Sequence, residues 1–423
     1  MTDQNFNKEK AILVGVQLNQ TDNHIQQSLQ ELQALTETAK GEVVSILTQN
    51  RDRIHSGTYI GKGKVEELQA LEEEHEPDVI IFNSELSPSQ NRNLSKVLSA
   101  RIIDRTQLIL DIFAQRARSR EGKLQVQLAQ LEYMLPRLGG QGIELSRLGG
   151  GIGTRGPGET KLETDRRHIR NEIAEVKRQL NQVVKHRDQY RERRRKNNVF
   201  QIALVGYTNA GKSTLFNRLA EADSFEEDQL FATLDPMTRK LLLPSGYSVL
   251  MTDTVGFIQD LPTTLIASFR STLEEVNEAD MLLHIVDASH PDYVEHEKTV
   301  HKLFAELKMD HIPNMTVYNK KDNVWDEFTA LPDQQWMLIS AFDPNDIEAL
   351  KNKIEESMID QMILFEIVLS SNEGSLLAKF KREAVIKELT FIEEKEEYKL
   401  SGYMLKDSPI TGYIKEHKNL NDN

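Results

Sequence analysis

At 423 residues the chain is too long for one ordinary hydrophobic core, and about two to four domains are expected. It has no cysteine, which excludes disulfides, thiolate metal sites and cysteine nucleophiles and fits a reducing cytoplasm. The net charge is −14, yet between 101 and 200 there are 22 Lys/Arg against 12 Asp/Glu. That segment is about +10 and the remainder about −24, so a polyanion-facing surface is expected on one part of the molecule only.

No run reaches the roughly 18 apolar residues of a membrane helix, and the opening MTDQNFNKEK is too polar for a signal peptide. Residues 1–118 alternate short β-rich runs (AILVGV, EVVSILTQN, DVIIFN, RIIDR) with helical patterns at about 23–39, 63–75, 87–99 and 105–118. Such alternation predicts a small doubly wound α/β domain with parallel strands. Ser87 followed by Pro88 is a helix start, the serine capping and the proline taking the first helical position.

Residues 119–198 change character. Leu124, Leu128, Leu131, Leu135 and Leu138 form one narrow apolar stripe; Leu162, Ile169, Ile173, Val176, Leu180, Val183 and Tyr190 form another. Two stripes on charged helices predict a long antiparallel helical hairpin. Thr160 and Glu163 have capping-box spacing, and Pro136 should bend the first helix near its end. Between the helices, residues 139–158 hold nine of the chain's 22 glycines together with Arg147 and Arg155, and Arg137 stands just before. Bare backbone amides and arginine forks suit an RNA-lined cavity, the plainer alternative being a flexible linker. The basic run 187–198 is either a solvated helix end or a further RNA contact.

Residues 199–360 again alternate, with strand candidates VFQIALVG, RKLLLPS, SVLMTD, MLLHIVDAS, NMTVYN and WMLISA. This predicts a doubly wound nucleotide-binding domain. Residues 361–423 predict a small C-terminal α/β module: FEIVLS, a helix over 374–391, and EYKLSGYML, with a frayed end.

The chemistry lies in the third stretch. GYTNAGKST follows a predicted strand and opens a predicted helix, the context of a phosphate loop. Gly206, Tyr207, Thr208, Asn209, Ala210 and Gly211 would wrap the phosphates. Lys212 would reach the β/γ oxygens, Ser213 would offer its hydroxyl to Mg²⁺, and Thr214 would follow in the helix. Asp253, Thr254, Val255 and Gly256 end a strand at Asp-x-x-Gly spacing; the carboxylate would meet Mg²⁺ through water and the glycine amide the γ-phosphate. Asn319, Lys320, Lys321 and Asp322 have the spacing that reads guanine, and Ser340, Ala341 and Phe342 would present an amide to the base carbonyl. After Gly256 stands Phe257, which offers no hydrogen bond to an attacking water. His284, inside an apolar strand, reads as a hydrogen-bonded core residue rather than a ligand or base, and the eleven histidines show no metal-ligand spacing. GKGK at 61–64 reads as a turn entering a helix, the alternative being RNA backbone contact, and Arg270 as helix surface.

The motif order resembles translation-factor GTPases. FATLDPMTR, DTVGF and the upstream segments ELSPSQNRNL and GGGIGTRGPGETKLETDRR resemble the HflX family of ribosome-associated GTPases more closely still. The resemblance implies that Thr233 is the switch threonine that joins Mg²⁺ and senses the γ-phosphate, with Phe231, Ala232, Leu234 and Asp235 lining that switch. It implies Lys212, Thr233 and Gly256 as catalytic residues, and a cytoplasmic monomer that binds GTP and GDP but neither specific DNA nor membrane. The partner implied is the large ribosomal subunit, contacted by Arg137, Arg147, Arg155, Arg166 and Arg167, and the activity is GTP-gated splitting or rescue of stalled, stressed or idle ribosomes. The basal rate would be slow and raised by the ribosome. The alternatives are a large-subunit assembly GTPase and a nucleotide-stabilised RNA-binding module. Asn209 matches the asparagine that holds K⁺ in cation-dependent relatives, which makes K⁺ a second candidate cofactor beside Mg²⁺.

Overall fold

The computed structural model describes residues 8–18, 22–139, 161–196, 199–220, 230–259, 276–324, 328–330 and 335–414. Its contacts divide the chain into two compact units. The first comprises Met1–Val183, Asp228–Asp235 and Gln259–Arg270; the second comprises Val184–Glu227, Pro236–Ile258 and Ser271–Asn423.

In the first unit, β1 (Glu9–Leu18), β2 (Gly41–Arg51), β3 (Val79–Phe82) and β4 (Arg101–Asp104) form a parallel sheet in the order β2-β1-β3-β4. All four residues of β3 are buried, as a strand covered on both faces requires. On one face Ile12, Val14, Ile80 and Phe82 pack with Val65 and Leu68 of α2 (Lys62–His75) and Leu94 of α3 (Pro88–Leu94). α1 (Asp22–Thr38) and α4 (Arg105–Arg116) pack against each other and against the strands. The Ser87–Pro88 start is realised as a full capping box with Gln90, although α3 stops at Leu94, five residues short of the 87–99 expectation. Asp104, fully buried, ends β4 and caps α4 by accepting from the Gln107 amide at 2.9 Å, while its other oxygen accepts from the Leu86 amide at 2.9 Å.

Ser119 then caps α5 (Arg120–Met134), its hydroxyl accepting from the Gly122 amide at 2.8 Å. α5 is followed by a 3₁₀ turn over Arg137–Gly139; the helix ends just before Pro136 rather than bending through it, since proline clashes with the preceding turn. α6 (Lys161–Lys196) packs Ile169, Ile173, Val176, Leu180 and Val183 against Leu124, Leu128 and Leu131. Gln127–Glu172 at 3.0 Å and Glu132–Lys177 at 2.8 Å flank this seam. The glycine loop from 140 on, Arg147, Arg155 and the Thr160 cap lie outside the described residues, as do the Leu162 and Tyr190 side chains, those of the basic run from 188, Arg270 and the last nine residues.

The second unit is built on a six-stranded sheet. β5 (Gln201–Gly206), β6 (Met237–Leu242), β7 (Ser248–Asp253), β8 (Met281–Asp287), β9 (Asn314–Asn319) and β10 (Trp336–Leu338) stand in the order β10-β9-β8-β5-β7-β6, with only β6 antiparallel. Side-chain alternation sends Ile202, Leu204, Leu283 and Ile285 to one face. There they meet Leu215, Phe216 and Leu219 of α7 (Lys212–Leu219) and Leu350, Ile354 and Met358 of α9 (Pro344–Ile359). Ala203, Val205 and Leu282 face the other way, against Val300 and Phe304 of α8 (Tyr293–Glu306).

The C-terminal module holds β11 (Ile363–Ser370), α10 (Gly374–Glu383), β12 (Ala384–Ile392) and β13 (Glu397–Met404), the strands antiparallel in the order β11-β13-β12. The helix expected over 374–391 therefore ends at Glu383. AVIKELTFI is rich in β-branched and aromatic residues and finds β13 as a partner through a tight turn, so tertiary pairing overrides the helical pattern.

Candidate nucleotide-binding site

β5 delivers the chain to Gly206, where a side chain could not fit: an added Cβ would lie 2.1 Å from the Ile285 carbonyl oxygen, and φ is +150°. The loop turns through Asn209 (φ 61°) and Gly211 (φ 88°) before α7 begins at Lys212. Lys212 Nζ donates to the carbonyls of Gly206 at 3.1 Å and Tyr207 at 2.7 Å, so the loop curls around its ammonium. Burial pulls this lysine down to about 8, with Asp253 acting in the opposite sense. Ser213 Oγ donates to Asp253 Oδ2 at 2.8 Å. The two are hard oxygen donors side by side, a set that fits Mg²⁺.

The segment after β7 pairs with the loop through its backbone. Thr208 N donates to the Phe257 carbonyl at 2.7 Å and Phe257 N to the Gly206 carbonyl at 3.1 Å, while Thr254 Oγ1 donates to the Leu204 carbonyl at 2.6 Å. Val255 is buried beside them, and a Cβ on Gly256 would lie 2.9 Å from Lys212 Nζ and 2.8 Å from Thr208 Cγ2, so only glycine allows this approach. The Phe257 side chain packs in the core with Val205, Leu282 and Phe304. It is a core anchor whose backbone serves the loop.

At the end of β9, Asn319 Nδ2 donates to the Ala210 carbonyl at 3.0 Å, and its Oδ1 accepts from the Ala341 amide at 3.1 Å. One side chain thus joins the phosphate loop to 340–342. Ser340 Oγ donates to Asp322 Oδ1 at 2.6 Å, Lys320 pairs with Asp287 at 2.7 Å, and Lys321 pairs with Asp346 at 3.1 Å. Phe342 is 65% exposed, with the Arg218 guanidinium over its ring. Thr214, third in α7, is half-buried. Sequence reasoning missed Asp346, which accepts from the Ser340 amide at 2.8 Å, and His296, which stacks on Tyr207 at 3.8 Å. Neither belongs to a local motif.

The residues 231–235 lie in the first unit. Phe231 (φ 54°) is buried and meets Phe113 of α4 edge-on at 4.8 Å; Leu234 is buried, Thr233 half-buried and Ala232 exposed. Asp235 Oδ2 accepts from the amides of Arg118 at 2.8 Å and Ser119 at 2.6 Å, and the Ser119 hydroxyl donates to Oδ1. The side chain of Asp235 therefore sits over the N-terminus of α5. Arg105, buried between Glu31 and Asn83, also donates to the Gln259 carbonyl at 3.2 Å.

Of the arginines expected to touch RNA, Arg137 is committed to the fold. Its guanidinium lies 3.5 Å over the Tyr133 ring and donates to the carbonyls of Tyr133 at 2.9 Å and Leu86 at 2.8 Å and to Glu85 at 3.1 Å. These local acceptors outcompete solvent for a planar five-donor group. Arg167 is exposed and Arg166 half-buried, both on α6.

A glycine loop between strand and helix, a buried lysine, a carboxylate beside a serine hydroxyl and an Asn-Lys-x-Asp turn on a mixed α/β sheet define a P-loop GTPase. The chain is 58% identical over 408 residues to the GTPase HflX of Alkalihalophilus pseudofirmus, covering 96% of each, and 40% identical over 388 residues to that of Escherichia coli, covering 90% of each. It belongs to the HflX GTPase family and hydrolyses GTP. Residues 26–114 match the family described as GTP-binding GTPase N-terminal, 116–194 the GTP-binding GTPase middle region, and 201–320 the 50S ribosome-binding GTPase. The crystal structure of a GTP-binding protein from Sulfolobus solfataricus in complex with GDP is similar at 22% identity and a TM-score of 0.45, covering 82% of this chain and 98% of that one. Among the described residues no helix is long and apolar enough to cross a membrane.

Proposed function

We propose that the chain is a GTP-gated factor that binds the large ribosomal subunit and separates stalled, stressed or idle ribosomes. The supporting observation is the attachment of 231–235, the proposed first switch, to the start of α5: Phe231 on Phe113 and Asp235 over the amides of Arg118 and Ser119. A segment that orders or relaxes with the γ-phosphate would thereby act directly on the helix that leads toward the glycine loop. The partner class is supported by the match of 201–320 to a 50S ribosome-binding family and by the basic balance of 101–200.

The roles follow the chemistry. Gly206 to Gly211 cradle the phosphates with backbone amides, and Lys212 neutralises charge on the β/γ oxygens. Ser213 and Asp253, with Thr233 as the switch ligand, hold Mg²⁺, which when bound spreads the charge of the transferring phosphoryl group. Asn319 and Asp322 recognise guanine, Asp322 braced by Ser340. Arg147, Arg155, Arg166 and Arg167 contact rRNA. Phe257 is buried and offers the attacking water nothing, so a slow basal rate follows, with the missing orientation supplied by the ribosome. The test is single-turnover GTP hydrolysis with and without purified large subunits. Stimulation of roughly 10³-fold or more is the range seen when partners complete other GTPase sites; equal rates would remove the reading.

A further inference from the structure

His284 is expected from sequence to be a hydrogen-bonded core residue, and the structure differs. Its side chain is 1% exposed, and neither Nδ1 nor Nε2 has a hydrogen-bond partner among the described residues. It projects from β8 toward α8, where Glu297 and His301 stand one turn apart on the same side of the helix. Glu297 is equally buried, at 1%, and its Oε1 likewise lacks a hydrogen bond among the described residues. Ligand atoms of all three residues lie within 4.8 Å of one another, and His301 Nε2 is 3.8 Å from Glu297 Oε1.

We infer that His284, Glu297 and His301 form a buried binding site for a divalent transition-metal ion of the zinc class. A carboxylate buried in an apolar layer with Val300 and Phe304 needs a compensating cation, and a doubly unpartnered imidazole needs an acceptor for its lone pair. One ion meets both demands. Two imidazoles and one carboxylate are a borderline-soft donor set that selects Zn²⁺, Co²⁺ or Ni²⁺ over Mg²⁺ or Ca²⁺. The carboxylate has an outer-shell partner: Tyr318 donates its hydroxyl to Glu297 Oε2 at 3.0 Å and leaves Oε1 directed at the histidines. Burial holds His284 well down, at about 3, aided by His301 and Lys212, so the ring is in its neutral, ligating form at neutral pH. The ion would pin α8 to β8. His296, adjacent to Glu297 in sequence, stacks on Tyr207 of the phosphate loop, so the site braces that loop from behind. Helix i/i+4 pairing completed by a strand residue is why no sequence spacing disclosed it.

The test uses metal-stripped full-length protein titrated with Co²⁺ alone, then with Zn²⁺ as competitor. One equivalent is expected, with visible d–d absorption that Zn²⁺ abolishes, and Zn²⁺ alone should raise Tm by several degrees. His301→Gln, at the partly exposed rim, should fold and lose both effects, while His301→Cys should regain cobalt binding with an added thiolate charge-transfer band. His284→Phe checks the strand ligand. Binding that is absent, substoichiometric or unchanged in His301→Gln would overturn the site and leave a buried bridging water in its place. None of these readouts requires GTP turnover.

Discussion

Lys212 is the residue proposed to neutralise phosphate charge, and its environment sets a proton balance. Burial lowers it to about 8, so between pH 8 and its ordinary 10.5 the folded, nucleotide-free protein binds fewer protons than the unfolded chain. Stability of the nucleotide-free protein therefore rises with pH across that window, and burying the charged ammonium costs its full amount below pH 8. A triphosphate restores the charge, so nucleotide binding at pH 8.5 should take up a fraction of a proton. Calorimetry in buffers of different ionisation enthalpy measures it; no uptake would mean that Lys212 is already fully charged. Asn209 is the second residue to test. It is exposed and held with φ 61° in the phosphate loop, the position proposed to hold K⁺. If it does, turnover in KCl should exceed that in NaCl at equal ionic strength by about tenfold, a coupling of roughly 1.4 kcal/mol on the barrier. Equal rates would mean that Asn209 is ordinary loop polarity. The phosphate loop and Asn-Lys-x-Asp turn were legible because their work is done by backbone and by side chains within a few positions. Asp346, His296 and the His284 group were not, because each acts across tertiary contacts.

At the scale of elements, the start of α5 is where the proposed coupling would act. The entry to α5 is held twice: Ser119 caps it by accepting from Gly122, and Asp235 accepts from the amides of Arg118 and Ser119 just before its first turn. A carboxylate is also favoured there by the helix dipole. Gly122 is what admits it, since a Cβ at that position would lie 2.2 Å from Asp235 Oδ1. Gly122→Ala should strengthen α5 by helix propensity, by up to about 1 kcal/mol, yet expel Asp235 at a cost of about 1–2 kcal/mol of capping. The expected outcome is an intact fold whose large-subunit binding no longer distinguishes GTP from GDP. Retained discrimination would show that switch and helix are not linked this way. The same elements show where pattern reading ends. The parallel N-terminal sheet follows from runs such as VIIF, buried on both faces, whereas β12 was hidden because it follows α10 without a break and is marked as a strand only by its pairing with β13.

For the molecule as a whole, contacts divide the chain into two compact units, and residues 231–235, proposed as the first switch, are counted in the unit of the N-terminal sheet and α5. Local pattern assigns a segment to its neighbours in sequence, whereas Phe231 and Asp235 find their partners more than a hundred positions upstream. That long-range attachment is the physical basis for supposing that nucleotide state and ribosome engagement are one equilibrium. A nucleotide can shift such an equilibrium only by binding its two states unequally. The most direct measurement is co-sedimentation of the full-length protein with purified large subunits in GDP, GTP and a non-hydrolysable GTP analogue. The account predicts affinity at least about tenfold higher in the analogue than in GDP, a coupling of about 1.4 kcal/mol or more. Equal affinity in the two nucleotides would contradict it.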